Sequence, residues 1–405
     1  MIKPVKIYVA LPVMEEFDYL PQCIDAIRAQ DYRNFEVIIC LNQPDEWYTL
    51  PEKKHVCVDN LKTLGYLRQV KDFDLKVIDR SSPGKGWKGK RSGVGWARKT
   101  AMDEIAEVAE DRDIILCLDA DTIFPENYFS SVVNTFTENP HISALSVPYF
   151  HRLTGDETLD RAMLHYEIYM RNYALNMLRI KSPYAFTAIG SAMATTAKVY
   201  RAVKGIAPKP SGEDFYFLMK LRKHGKVISH NPVKVYPATR YSDRVFFGTG
   251  PALIKGVQGD WESYPMYHYY YFDEVAETTD AFGTLFEKEV PTPMTLFLQR
   301  ILKEDILWKP LRKNHKTKER FIRACHEKVD ALRILQFLKY RQRLKHSSDE
   351  VNLREFLYTF YAPELRAARI ALADLDFNKS SIEYLDKLRR MMMEIEETVH
   401  SGKRT

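Results

Sequence analysis

Asp119 and Asp121 are the residues whose position most suggests chemistry. They follow the apolar run DIILCL at 113–118, which reads as a strand buried on both faces. Open α/β sheets bind ligands beyond the carboxyl ends of their strands. Two carboxylates one residue apart at such an end can face one crevice, hold a hard divalent cation and, through it, a diphosphate. Spacing alone decides nothing, because the chain has four Asp-x-Asp pairs, the others at 72/74, 111/113 and 374/376. The competing reading is a solvated turn with Asp121 as the N-cap of a following helix.

Glu213 and Asp214 open a helical pattern 93 residues after Asp121. Acids in a first turn complement the helix dipole, and a carboxylate near a departing diphosphate can instead serve as general base towards an incoming hydroxyl. The loop Gly84-Lys85-Gly86-Trp87-Lys88-Gly89-Lys90-Arg91 satisfies Gly-x-Gly-x-x-Gly and misses the phosphate-loop pattern by one residue. Those fingerprints usually follow the first strand of their unit, and this loop follows the third. It is either a phosphate holder or a solvated basic loop. Thr239-Arg240-Tyr241-Ser242-Asp243-Arg244 with Gly248 and Gly250 reads as a mobile loop whose arginines clamp a diphosphate, or as a turn with an internal Arg–Asp pair. The aromatic run from Trp261 to Phe272 suits sugar faces and equally suits packing at a domain junction. The eleven histidines show no ligand spacing; His230 is the one candidate for a further metal contact.

These residues need elements to position them. Strand patterns at 5–11, 35–41, 75–78, 113–118, 142–150 and 227–237 alternate with helical spacing at 18–30, 93–109, 125–137, 157–180 and 213–224. Pro125 is expected in the first turn of its helix, and Gly225 is expected as a C-cap glycine. Such alternation implies an open, mainly parallel α/β sheet. Beyond about residue 275 only helical spacing remains, at 293–303, 317–344, 353–375 and 381–400, the third interrupted by Pro363. The expected domains are an α/β unit over 1–255 and a helical extension over 256–405.

Composition narrows the class. With 45% apolar and 28% charged residues among 405, the chain is globular rather than disordered or fibrous. No apolar run approaches the roughly 18–20 residues of a bilayer span, and the N-terminus carries no signal-peptide pattern. Five scattered cysteines without Cys-x-x-Cys fit reduced thiols in a cytosolic protein. The net charge of +6 is uneven. Residues 301–405 hold 23 Lys and Arg against 16 Asp and Glu, whereas the first 300 hold 37 against 38. Lys309, Arg312, Lys313, Lys316, Lys318 and Arg320 are the densest group. They form a solvated helical face or meet an anionic membrane surface; no nucleic-acid motif accompanies them.

Taken in order, these features resemble a family 2 glycosyltransferase with a GT-A fold over about residues 3–250. The resemblance rests on Leu11-Pro12-Val13-Met14-Glu15-Glu16 after the first strand and Ala26–Gln30 in the first helix. It rests further on Asn42 ending the second strand, Gly93–Lys99, Asp119-Ala120-Asp121, Gly190-Ser191-Ala192-Met193 and Gly212-Glu213-Asp214. Asn42 and Glu15 depart from the family's usual residues, and the Gln-x-x-Arg-Trp motif of processive synthases is absent. The resemblance implies a Rossmann-like open mixed sheet flanked by helices and a nucleotide-diphosphate sugar donor. Pro12, Glu15, Asn42, Lys90, Arg98, Asp119, Arg240 and Arg244 would line the donor site. Mn²⁺ or Mg²⁺ would sit on Asp121 with Asp119, and Asp214, with Glu213 beside it, would act as the base in an inverting transfer. The implied setting is cytoplasmic, peripheral at the inner membrane face, with a hydroxyl acceptor that is lipid-linked. The alternatives are a nucleotidyltransferase of the same fold and a non-catalytic scaffold with a degenerate transferase domain.

Overall fold

The computed structural model describes residues 3–89, 91–229, 232–246, 248–345 and 347–402. The chain divides into two compact units, 1–155 with 186–254, and 156–185 with 255–405.

The strands that build the first unit are β1 (Ile7–Val13), β2 (Phe35–Asn42), β3 (Leu75–Arg80), β4 (Ile114–Cys117), β5 (Thr122–Ile123), β6 (Ile142–Ser146), β7 (Met193–Thr196), β8 (Lys226–Ile228) and β9 (Tyr236–Pro237). Of these, β1, β2 and β4 are apolar runs buried almost throughout. Every residue of β1 and β4 is buried. Seven strands form one sheet in the order β3-β2-β1-β4-β7-β6-β8, while β5 and β9 pair separately. β1 runs parallel to β2 and β4, and β7 runs antiparallel to β4 and β6. The sheet is therefore mixed. Register sets Pro12 beside Cys40 and Ala10 beside Cys117, which brings the carboxyl ends of β1, β2 and β4 to one edge.

The helices of the chain's first half are α1 (Leu20–Arg28), α2 (Lys54–Leu67), α3 (Val94–Val108), α4 (Tyr128–Glu138), α5 (Glu157–Arg179), α6 (Ala197–Ala202) and α7 (Glu213–His224). α3 covers β1 and β2, burying Ala97, Ala101, Met102 and Ile105 against them. Two local expectations need correction. Pro125 lies before α4, which starts at Tyr128, and serves through its carbonyl, accepting from Tyr128 N at 3.1 Å and from Gln30 Nε2 at 2.9 Å. Gly225 ends α7 in extended backbone, not in the left-handed conformation of a capping glycine. It is required for a different reason: a Cβ there would lie 2.3 Å from Ser143 Oγ.

The second unit is helical. α5 packs along Ile382–His400 through a buried charge cluster. Glu167 accepts from Arg171 Nη2 at 2.6 Å and Arg389 Nη1 at 3.1 Å, and Arg171 Nη1 reaches Glu396 at 2.9 Å. The expected helix over 317–344 is two, Lys318–Lys328 and Ala331–Leu344, because Asp330 caps the second by accepting from Arg333 N at 3.1 Å. Pro363 stands in the first turn of Ala362–Ala367, just after Asp349–Phe360 ends. Much of the aromatic run packs within this unit, with Tyr267, Tyr271 and Phe272 buried and Tyr270 exposed. Trp261 and Phe377 each lie 3.9 Å from the His165 ring, and Tyr264 meets Tyr166 at 5.3 Å. Of the six basic residues singled out above, Arg312 pairs with Glu289 and Lys318 with Glu287. Lys309, Lys313, Lys316 and Arg320 are exposed and form no ion pair among the described residues. No helix among the described residues is long and apolar enough to cross a membrane.

Candidate active site

The site lies in the first unit, where β1, β2 and β4 end. Leu118 N donates to Ala10 O at 3.2 Å, extending the β4 ladder by one residue, and Asp119 and Asp121 follow at the sheet edge. Asp121 caps no helix, because β5 comes next.

The two carboxylates have different counter-ions. Arg98, on α3, donates through Nη2 to Asp119 Oδ1 at 2.7 Å, through Nη1 to Gly190 O at 3.0 Å and through Nε to Glu213 Oε1 at 3.2 Å. The arginine is 1% exposed. Burial opposes its charge, yet Asp119 and Glu213 together hold its pKa above the ordinary value. Gly190 makes this packing possible: a Cβ there would stand 2.5 Å from Arg98 Nη2 and 3.1 Å from Asp119 Oδ2. One guanidinium thus joins the Asp-x-Asp turn, the Gly190 segment and the start of α7.

Asp121 faces Arg240 instead. Arg240 Nη2 and Nε approach its Oδ2 at 2.6 and 2.9 Å. Arg240 also reaches Glu16 Oε1 at 2.6 Å, and its guanidinium lies 4.3 Å from the Tyr19 ring centroid. Arg244 Nη1 meets Glu16 Oε1 at 2.5 Å and Met14 O at 2.6 Å. Burial, and then the neighbouring Asp121, push the Glu16 carboxyl up to about 7 against the pull of both arginines.

Asp214 lies on the first turn of α7 beside Glu213. Its Oδ1 accepts from Phe215 N at 2.7 Å, and its Oδ2 accepts no hydrogen bond from the described residues. Burial first, and then the adjacent Glu213, raise its carboxyl to about 7. A carboxyl poised there suits proton abstraction near neutrality.

Two cavities open at this edge. One of about 150 Å³ is lined by Pro12, Asn42, Asp119, Asp121, Glu16 and Arg244, among others. The other, of about 760 Å³, lies between α2, the β1–α1 turn with Glu15, and residues 240–244. Pro12, Asn42, Asp119, Asp121 and Arg244 therefore gather at one cavity. Glu15 faces the wider one, its carboxylate 3.1 Å from His55 Nε2. Arg98 lines neither and acts through the carboxylates it holds. Asn42 is buried with both polar ends engaged, donating to Val13 O at 2.8 Å and accepting from Trp87 Nε1 at 3.1 Å. The Gly-rich loop is tied to the β2 end through Trp87, whose N–H donates to Gln43 O at 2.8 Å, and Gly84, whose N–H donates to Asp45 Oδ1 at 2.7 Å. Lys90 and His230 lie outside the described residues.

Sequence reasoning quoted Glu16 within the Pro12–Glu16 segment but gave it no role. The available signal was the doubled acid at the end of a buried strand. Trp87 was passed over as well.

A family model described as glycosyltransferase-like family 2 matches residues 4–247, over half of the 405. The chain belongs to this family. It is a glycosyltransferase, and its mixed seven-stranded sheet with flanking helices is the GT-A fold. Among solved structures, this glycosyltransferase is similar to TarS 1–349 of S. aureus in complex with UDP-GlcNAc, at 13% identity and a TM-score of 0.41, covering 98% of this chain and 92% of that one. It is also similar to the mannosyltransferase PcManGT of Pyrobaculum calidifontis in complex with GDP-Man and Mn²⁺, at 14% identity and a TM-score of 0.37, covering 98% and 87%. No curated protein matches the chain.

Proposed function

We propose that this glycosyltransferase moves a sugar, with inversion, from a nucleotide-diphosphate sugar to a hydroxyl on a cell-surface glycan or glycolipid precursor. The observation that carries the reading is the Arg98 bridge. It sets the base-bearing start of α7 beside the Asp-x-Asp turn and leaves Asp121 to face the donor pocket.

The residues present suit a hard divalent ion. Asp119, Asp121 and Glu16 give oxygen donors to one cavity, and Glu16 Oε2 is buried with no hydrogen-bond partner among the described residues. Among the described residues, no group of three or more His, Cys, Asp or Glu side chains is arranged to hold a metal. The protein would therefore supply Asp121, with Asp119 beside it, and leave the remaining positions to the diphosphate and water. Mn²⁺ or Mg²⁺ bound there would offset the charge that develops on the departing diphosphate.

The chain's own residues do the rest. Pro12 and Asn42 shape the wall that receives the nucleoside. Arg240 and Arg244 supply cations to the diphosphate. Asp214 Oδ2 takes the proton of the acceptor hydroxyl as it attacks the anomeric carbon from the face opposite the diphosphate. Glu213, held by Arg98, keeps the first turn of α7 in place.

The proposed setting is cytoplasmic. The exposed Lys309, Lys313, Lys316 and Arg320 would give peripheral contact with an anionic inner membrane face, and the acceptor would be lipid-linked. The sheet-bearing part carries the chemistry, and the helical part carries this contact.

Incubating the protein with a panel of nucleotide sugars and Mn²⁺, with and without EDTA, tests the proposal. Metal-dependent release of a nucleoside diphosphate is expected. Release of pyrophosphate would instead identify a nucleotidyltransferase, and no turnover with any donor would favour a scaffold.

A further inference from the structure

The cavity beside Asp121 is smaller than most ligand sites, and Ser242 and Arg244 part it from the wider cavity at the same edge. About 150 Å³ is open around Asp121, whereas ligand sites generally enclose about 300 Å³ or more. The segment that lines both cavities, Arg240 to Val245, would have to shift for the two to join, and it is held chiefly by side chains. Both of its arginines end on one carboxylate. Arg240 Nη2 and Arg244 Nη1 meet Glu16 Oε1 at 2.6 and 2.5 Å. Glu16 is 7% exposed, and its other oxygen has no hydrogen-bond partner among the described residues. A buried carboxylate with an orphaned oxygen is costly to keep, which points to a use beyond packing.

We propose that Glu16 is a positioning residue for donor entry. It anchors Arg240 and Arg244 across the pocket, so that the Arg240 guanidinium serves as the built-in cation of Asp121 until a metal-bound diphosphate replaces it. The inference rests on the proposed placing of the metal at Asp121. Asp121 Oδ2 already receives two N–H groups of Arg240, at 2.6 and 2.9 Å. A divalent ion arriving alone must displace that guanidinium from Asp121 and leave it only Glu16, which it shares with Arg244. An ion arriving with a diphosphate offers the guanidinium new acceptor oxygens, and Arg–phosphate pairing is at least as good as Arg–carboxylate pairing. Charge is then matched on both sides of the exchange. Metal affinity becomes conditional on nucleotide, and the segment that parted the two cavities becomes the one that clamps their contents.

The test measures Mn²⁺ binding without nucleotide, through the electron paramagnetic resonance signal of the free ion, and tryptic cleavage after Arg240 and Arg244. Arg240→Gln leaves Asp121 without its cation, while Glu16 keeps Arg244. It should bind Mn²⁺ alone at least about tenfold tighter than wild type, the scale on which a contacting opposite charge shifts ionic equilibria. Arg240→Lys keeps the charge and should stay close to wild type. Glu16→Gln should be cut several-fold faster after Arg244, with its melting temperature showing that the fold is intact. Wild type should bind Mn²⁺ when UDP or GDP is added. If it does, but Arg240→Gln gains no affinity for Mn²⁺ alone, the exchange is overturned and the metal reading stands. If Glu16→Gln is cut at the wild-type rate, the anchor is overturned. If no form binds Mn²⁺ with either nucleotide, the metal at Asp121 is itself wrong.

Discussion

Arg98 Nη2 stands 2.7 Å from Asp119 Oδ1, and Asp121, two residues on, is left to the guanidinium of Arg240. The Asp-x-Asp pair is therefore not symmetric. Asp119 is held by a buried arginine that also holds the first turn of α7, while Asp121 is held by one on a pocket-lining segment.

That asymmetry predicts different losses. Arg98→Met leaves Asp119 and the buried Glu213 without their cation, and breaking a buried ion pair from one side costs about 3–5 kcal/mol. Thermal unfolding should show a clear fall in melting temperature. Arg98→Lys should recover little of it, since an ammonium cannot reproduce the three-way fork.

Asp121→Ala should instead leave the melting temperature near wild type and lower transfer by at least about 10²-fold, the scale of losing a main electrostatic stabiliser. EDTA should reproduce this loss in wild type and have no further effect on the variant. Steady-state kinetics with and without metal checks both.

Much of this arrangement could be read from the residues and some could not. β1, β2 and β4 are continuous apolar runs, so their place in the sheet was legible, and with it the position of Asp119 and Asp121 at a strand end. α2 was not. It buries the polar Asn60 and Thr63 together with Val56, Cys57 and Leu64, which masks the apolar period. The antiparallel β7, MATT, has no strand-like composition and gains its conformation from β4 and β6 on either side. Arg240 and Asp121 are 119 residues apart. The segment around Arg240 was legible as a loop with two arginines, but spacing says nothing about which acid they meet. For Glu16 the doubled acid after β1 marks the place but not the role, which comes from burial against two arginines that only the fold brings there.

The raised Asp214 carboxyl gives a pH dependence with a definite sign. The protonated group cannot accept the acceptor's proton, so transfer should fall as pH drops through about 7 and level off above it. An ordinary carboxylate would place that fall near pH 4. Asp214→Asn should abolish transfer at every pH while donor binding stays nearly intact, because the group acts on the acceptor side. The rate profile of wild type and isothermal titration of the variant with donor are the checks.

The basic segment of the helical unit predicts salt-sensitive attachment. Lys309, Lys313 and Lys316 each contribute about 1 kcal/mol near an anionic surface. Wild type should float with vesicles containing phosphatidylglycerol at low salt and stay in the soluble fraction at high salt. The triple change to Glu should stay soluble in both. Equal recovery of wild type from neutral and anionic vesicles would leave the segment as ordinary solvated surface.

The central claim is glycosyl transfer to a hydroxyl, with the leaving diphosphate held at Asp121. Phosphorus NMR of a reaction containing donor, Mn²⁺ and a hydroxyl acceptor reads it most directly. The account predicts that the donor's diphosphate resonances convert to those of a free nucleoside diphosphate. Conversion should occur with wild type and not with Asp121→Ala or Asp214→Asn. Conversion at the wild-type rate by Asp121→Ala, or the appearance of pyrophosphate in place of nucleoside diphosphate, would contradict it.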